Sequence, residues 1–333
     1  MNRIAKMTLT TALAVALATV AHAGTTWRMA TKMPVDSPEG KVFDKFAELT
    51  EQYTNGELKI DVYPNEQLGK EDAVLEQMQS NIVQIYAESS AYMKKWEPAL
   101  GWVSAAFAFD DFDHWQRFMN SDLVNSWFDN AEEKSGIRPL GDPTMILRGP
   151  YRVMVSNVPV NSYEDMAGVK LRLPESKVAI ETWDHLGADV ITLPWTEVYQ
   201  GISKGIVQAV NSPIALVESM RFNEVAPYIA RHDEYWQSVA FMVNSKALAD
   251  LDDKTRDALM KAYADTGAYS KELMFGVADE SVQRMKDAGA TFVTIDTGPM
   301  VKNMQTFYAE MAAKGDLPEG FMEAVEATRV SAQ

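Results

Sequence analysis

Apolar and polar residues alternate from Thr26 to Thr31, the period of a strand with one buried face. Ser37-Pro38 then offers a capping hydroxyl and a proline for the first helical position. Val42, Phe46, Leu49 and Tyr53 follow at helical spacing, and Asn55-Gly56 predicts the end of that helix. Leu58, Ile60 and Val62 alternate with polar neighbours until Pro64 stops the strand. Glu71 to Ser80 reads as a second helix, and Ile82 to Tyr86 as a buried strand. A β-α-β-α-β order of this kind predicts a parallel sheet with helices on both faces.

The pattern recurs mid-chain. Val169, Leu171 and Leu173 point one way and Lys170 and Arg172 the other, up to Pro174. Ala179, Trp183 and Leu186 mark a helix face that Gly187 ends. Asp189 to Leu193 and Ile206 to Val210 read as strands flanking a short helix at Thr196 to Lys204, with Asn211-Ser212-Pro213 as the break. A long helix starts at Asp252 and carries Leu259, Tyr263, Leu273 and Val277 on one stripe toward Gly289, long enough to brace two lobes. The chain has 333 residues, more than a single core usually holds. The expectation is an α/β protein of two lobes joined by several crossings.

The first residues have a different character. Arg3 and Lys6 precede an uncharged apolar run from Met7 to Val20, and Ala21-His22-Ala23 is a small-x-small cleavage site. These features predict a secretory signal peptide over 1–23, cleaved after Ala23, and a periplasmic mature protein. The rival is a membrane anchor, but the run falls short of the ~20 residues that span a bilayer.

Charge narrows the partners. The chain carries net charge −16, and loss of Arg3 and Lys6 makes it more negative. Such a surface repels nucleic acid and anionic membranes, so no nucleic-acid partner is expected. Capture of an anion requires a local cluster of cations. Cysteine is absent, which excludes disulfides, thiol nucleophiles and thiolate zinc sites.

Catalytic patterns are few. Gly201-Ile202-Ser203-Lys204-Gly205 is a literal G-x-S-x-G, which keeps a periplasmic serine hydrolase using Ser203 as the alternative function. Its context is helix then strand, the reverse of a nucleophile elbow, so no enzyme is expected. His114, His185 and His232 form no pair at metal-binding spacing, and His185 is placed to meet the carbonyls of its own helix end. Asp110, Asp111 and Asp113 lack the rest of a calcium loop and read as a solvated acidic loop. No metal and no cofactor are expected. Arg172, just before a strand-ending proline, and Arg152, after Gly149-Pro150, are the candidates for gripping a carboxylate or for structural ion pairs.

The run from Val160-Asn161-Ser162-Tyr163-Glu164-Asp165-Met166 through Gly168-Val169-Lys170-Leu171-Arg172-Leu173-Pro174 has a specific counterpart. With Leu186-Gly187-Ala188, Glu197-Val198-Tyr199, Gly205-Ile206-Val207, Asn211 and Pro213, and with Pro64-Asn65-Glu66-Gln67-Leu68-Gly69 upstream, it resembles the substrate-binding proteins of tripartite ATP-independent periplasmic (TRAP) transporters. The resemblance covers essentially the whole chain beyond residue 23.

The resemblance implies a periplasmic-binding-protein (Venus flytrap) architecture. Residues 24–148 and 238–277 would form the N-terminal lobe, and 149–237 and 278–333 the C-terminal lobe. It implies a small organic acid as ligand, the integral-membrane TRAP subunits as partners, and a monomer. By the same resemblance Arg172 salt-bridges the ligand carboxylate, Arg152 is a second arginine nearby, and Trp195 closes over the ligand. Asn211 is a polar contact, Asp72 and Glu88 are ligand-facing positions of the N-lobe, and Trp236 or Tyr235 lines the pocket. Lys32 stands where the family is commonly neutral, so it either meets a second anionic group or pairs with Glu88 or Asp72. Gln208, Ala209 and Val210 depart from the acidic pattern usual before the asparagine. A sugar acid, a C4-dicarboxylate, and an aromatic acid or sulfonate all remain open as ligands.

Overall fold

A computed structural model describes residues 24–330, and the expected signal segment lies outside them. Five strands open the first sheet: β1 (Thr25–Ala30), β2 (Leu58–Tyr63), β3 (Ile85–Glu88), β4 (Ile137–Pro139) and β5 (Ile146–Leu147). The next five build a second sheet: β6 (Arg152–Ser156), β7 (Lys170–Leu173), β8 (Asp189–Thr192), β9 (Ala209–Pro213) and β10 (Tyr228–Arg231). The chain then returns to the first sheet with β11 (Ser238–Asn244) and to the second with β12 (Thr291–Thr294). This is a two-lobed α/β architecture.

The first sheet runs β2-β1-β3-β11-β4, with β5 paired to β11. β1 is parallel to both β2 and β3, as the β-α-β-α-β pattern predicts, but β11 lies antiparallel against β3, β4 and β5. The second sheet runs β12-β10-β6-β9-β7-β8, and β6 is antiparallel to both of its neighbours. Both sheets are therefore mixed rather than purely parallel. The return strands come from distant parts of the chain, where local periodicity carries no information on direction.

Local chemistry explains the elements that meet expectation. Ser37 accepts the Gly40 N–H at 3.0 Å and Pro38 opens the helix Pro38–Tyr53, which buries Val42, Phe43, Phe46 and Leu49. Phe46 stacks edge-on against Phe241 of the fully buried β11, with centroids 4.8 Å apart. One expected break is absent, because Asn211, Ser212 and Pro213 belong to β9. Asn211 and Ser212 pair with β6 there, and Pro213 ends the ladder opposite Arg152.

The helix Asp253–Asp287 is capped by Asp252, whose carboxylate accepts the Thr255 N–H at 3.0 Å. It touches both lobes. Asp265 accepts the Tyr53 hydroxyl at 2.7 Å on the first-lobe side, and Arg284 reaches Glu218 at 2.8 Å on the second. No described helix is long and apolar enough to cross a membrane. The C-terminus departs from the lobe division expected from the sequence. Phe321, in the helix Phe321–Thr328, packs on Trp102 and Phe118 of the first lobe, and His114 Nε2 meets the Val325 carbonyl at 2.8 Å. The end of the 278–333 segment thus crosses back, driven by burial of Phe321 and Val325.

Candidate ligand-binding site

The parallel strands β1, β3 and β7 aim their C-terminal ends at the space between the lobes, where open α/β sheets bind ligands. Lys32 follows β1, Glu88 ends β3, and Arg172 sits next to last in β7. A cavity there is lined by Lys32, Glu88, Arg152, Arg172, Trp195 and Asn211, all read as candidates from the sequence. Tyr92, Arg148, Glu234, Tyr235 and Gln237 complete its polar lining.

Four cations face this cavity, and three are matched to carboxylates. Arg148 holds Glu39 through Nε at 2.9 Å and Nη2 at 3.1 Å, and Glu88 through Nη1 at 2.6 Å. Burial works against its charge, but Glu39 and Glu88 outweigh that and hold the guanidinium ionised. Lys32 lies 3.3 Å from Glu88 and donates to the Tyr92 hydroxyl at 3.0 Å. Burial pushes Glu88 up, yet Arg148 and then Lys32 bring it down to about 2. Glu39 is fully enclosed, and burial lifts it to about 7 against the pull of Arg148.

Arg152 is the third. Its Nε and Nη2 both reach Glu234 at 2.9 Å, Nη1 donates to Gln237 at 3.1 Å, and its face lies 4.1 Å from the Tyr235 ring centroid. Glu234 also accepts from Trp183 Nε1 at 2.8 Å and Asn211 Nδ2 at 2.7 Å. His232 completes the network. Its Nδ1 accepts the Glu234 N–H at 3.1 Å, which leaves Nε2 to donate to Asn211 Oδ1 at 3.2 Å. Burial, reinforced by Arg152, lowers His232 to about 3 and keeps it neutral. Asp233 between them adopts φ +47°, a turn that lets both neighbours bury their side chains.

Arg172 differs from the other three. It is 5 % exposed, and its only side-chain hydrogen bond among the described residues is from Nε to the Leu193 carbonyl at 2.6 Å. Trp195 lies 5.5 Å away, and its own Nε1 is buried without a partner. Burial with no matching carboxylate lowers Arg172 to about 10. The Nη groups of Arg172 and the Trp195 N–H are thus donors awaiting an acceptor.

The lobes meet at the rim as well. Lys94 donates to the Glu175 carbonyl at 2.7 Å, Thr196 to Glu66 at 3.2 Å, and Lys70 to Glu197 at 3.4 Å. The 3-10 turn Trp195–Glu197 therefore presents Trp195 to the cavity and its next two residues to the opposite lip. That lip is formed by the Pro64–Gly69 segment, where Asn65 and Glu66 both take positive φ.

Two residues read as ligand-facing lie elsewhere. The Asp72 side chain is 87 % exposed and meets Lys95 at 3.4 Å on the surface, while its neighbour Glu71 turns inward toward Lys32 and Tyr92. One residue of helix rotates a side chain by about 100°, enough to exchange the two. Trp236 lines a separate hollow with Phe112 and Phe275, and Tyr235 is the member of that pair in the cleft. Arg148, Glu234 and Gln237 were missed. The His232-Asp233-Glu234 run after β10 was a visible polar signal, whereas nothing local marked Arg148.

The other chemical candidates resolve into structure. Ser203 is exposed at the end of the helix Val198–Ser203. Asp111 caps the helix Phe112–Met119, and Asp110 pairs with Arg329. His185 meets Asn303 at 3.0 Å in the helix Gly298–Lys314 rather than its own helix carbonyls. Among the described residues no group of three or more His, Cys, Asp or Glu is placed to hold a metal.

Two lobes closed over a cleft that holds an unmatched guanidinium define a solute receptor. The profile of the bacterial extracellular solute-binding proteins, family 7, matches residues 29–315, and the chain belongs to that family, whose members are TRAP solute-binding proteins and not enzymes. It is 30 % identical over 261 residues to the C4-dicarboxylate-binding periplasmic protein DctP of Rhodobacter capsulatus, covering 77 % of this chain and 76 % of that one. It is 27 % identical over 310 residues to the sialic acid-binding periplasmic protein SiaP of Vibrio cholerae, covering 93 % and 95 %. In fold it is similar to a TRAP periplasmic solute-binding protein of Roseobacter denitrificans bound to β-D-glucuronate. The TM-score is 0.81 and the identity 24 %, over 92 % of this chain and 100 % of that one.

Proposed function

We propose that this protein captures a small organic acid in the interlobe cleft, with the carboxylate on Arg172, and delivers it to the membrane subunits of a TRAP transporter. The observation that carries the reading is the state of Arg172, buried and without a carboxylate partner among the described residues. A bound carboxylate supplies the missing charge and accepts from the free Nη groups and from Trp195. Asn211 has one amide hydrogen beyond the one given to Glu234, and Arg152 stiffens the wall beside it. Glu88 and Lys32 lie at the first-lobe end of the same ligand.

Relatives named for C4-dicarboxylate and sialic acid, and a fold neighbour holding glucuronate, support an acid ligand. The protein works in the periplasm as a monomer, exported by its first 23 residues. Closure about the crossings near Gly149 and Gln237, where the chain passes between sheets, encloses the ligand. Titration calorimetry against a panel of organic acids tests this reading. The expected result is saturable binding of at least one acid, recovered unchanged after dialysis and lost in Arg172→Ala. Chemical turnover of the acid, or undiminished affinity in the variant, would overturn it.

A further inference from the structure

The charges around the cleft are distributed unevenly between its two ends. At the second-lobe end Arg172 is unmatched, Trp195 Nε1 is unpartnered, and Arg152 is neutralised by Glu234. That end offers hydrogen-bond donors and one positive charge. At the first-lobe end Lys32 and Arg148 meet Glu39 and Glu88 at 2.6 to 3.3 Å. Glu71 does not line the cavity itself, but beside Lys32 and Tyr92 it adds a third carboxylate to their charge balance. Even with Glu39 protonated, Glu71 and Glu88 balance the two cations.

The unsatisfied atoms have the same polarity. Glu88 Oε2 and Glu71 Oε2 are buried oxygens without a hydrogen-bond donor, and Glu88 Oε2 has only the Lys32 ammonium, 3.3 Å away. This end therefore offers acceptors, which suit hydroxyl groups and repel a carboxylate. Lys94 is the remaining cation nearby, but it lies in an adjoining chamber and is directed to the Glu175 carbonyl across the rim. Lys32, which on its own suggests a second anionic group on the ligand, is taken up by Glu88.

We infer that the cleft is built for a monoanion, with one carboxylate on Arg172 and an uncharged, hydroxylated far end against the first lobe, and that the Glu71 and Glu88 carboxylates exclude a diacid. The inference rests on Arg172 as the carboxylate site and adds to it the number of charges the ligand carries. It separates this chain from the C4-dicarboxylate specificity for which one of its relatives is named.

Paired probes that differ only in one terminal group test it. Gluconate with glucarate, and galactonate with galactarate, each exchange a CH₂OH for a second carboxylate. Calorimetry on the mature protein near neutral pH should show the monoacid of a pair bound at least about tenfold more tightly than its diacid, because a second carboxylate would stand beside like charges. Glu71→Gln and Glu88→Gln should each narrow that ratio. Glu71→Gln is the safer variant, since Glu71 is only partly buried, whereas Glu88 lies in a buried ion-pair chain. A wild type that binds diacids as well as or better than monoacids, with both lost in Arg172→Ala, would overturn the monoanion inference and leave the Arg172 site standing. Binding of monoacids that survives Arg172→Ala would overturn both, and binding of neither member of either pair would overturn the hydroxylated far end while leaving the Arg172 site to the wider panel of acids.

Discussion

Arg172 donates its Nε–H to the Leu193 carbonyl at 2.6 Å and leaves its two Nη groups without protein acceptors among the described residues. The bond fixes the plane of the guanidinium from behind. Its open edge is then free to take a carboxylate in bidentate fashion.

Arg172→Ala should weaken acid binding by about 2–5 kcal/mol, because a buried carboxylate loses its counter-charge. Arg172→Lys should also lose affinity, since an ammonium cannot reproduce the planar fork. The unliganded protein should respond in the opposite sense. Burial lowers Arg172 to about 10, so the folded state disfavours its charge. Arg172→Met should therefore raise the stability of the ligand-free protein by on the order of 1 kcal/mol, the trade-off common at binding sites. Chemical denaturation with and without ligand checks both signs, and a destabilised apo variant would mark Arg172 as a structural ion.

The rim contacts should govern release. Lys70, Thr196 and Lys94 each reach a partner on the opposite lobe through exposed or half-exposed groups. Such contacts are individually weak and screened by salt. The double variant Lys70→Ala/Thr196→Ala should raise the ligand dissociation rate roughly two- to fivefold with little effect on association. Stopped-flow measurements should show the same acceleration in the wild type as ionic strength rises. A change confined to the association rate would exclude this role.

How much of the site was legible depended on whether a residue's position follows from its own neighbourhood. Leu171 and Leu173 fix the face of Arg172, and Pro174 fixes its place at the strand end, so a short stretch of sequence located it. Asp72 failed because a helix start can be placed only to within a residue or so, and Glu71 and Asp72 lie on different faces. The choice between Tyr235 and Trp236 stayed open for the analogous reason in an extended segment, and Tyr235 is the one in the cleft. Arg148 was invisible because its partner Glu39 is 109 residues away, and only the fold brings a helix start and the first crossing together. The parallel strands were readable from βαβ periodicity, whereas the antiparallel return of β11 to β3 is a long-range pairing.

Buried His232 predicts a pH dependence of stability. Its pKa falls from 6.5 in the unfolded chain to about 3 in the folded protein. Below 6.5 the unfolded state binds a proton that the folded state refuses, so this contribution is fully present above that pH and is lost as the pH falls toward 3. The slope approaches about 1.4 kcal/mol per pH unit within the window. Glu39 acts in the opposite direction. Its pKa is raised from 4.5 to about 7, so its contribution is fully present below 4.5 and is lost as the pH rises through 7. Urea titrations should show the acid-side slope reduced in His232→Gln and the neutral-side loss reduced in Glu39→Gln. Unchanged slopes in these variants would assign the dependence to other groups.

Two glycines in helices should respond to alanine with opposite signs. Gly40 follows Glu39 in the first turn of the helix Pro38–Tyr53, and a Cβ there would come within 2.4 Å of the Pro34 and Val35 carbonyl oxygens. These are backbone atoms, held in place by the Ser37 cap and unable to swing aside as a side-chain tip would. Gly40→Ala should cost about 1–3 kcal/mol by overpacking. The strain should reach the cleft, because the same turn holds Glu39 against Arg148. Gly276 lies on an exposed face of the long helix, with nothing within 4 Å of its would-be Cβ. Gly276→Ala replaces the most flexible residue by the best helix former at no steric cost, and should stabilise the protein by about 0.5–1 kcal/mol. Thermal unfolding of the two variants should move in opposite directions. Only Gly40→Ala should also weaken acid binding, since Gly276 touches neither the cleft nor the rim.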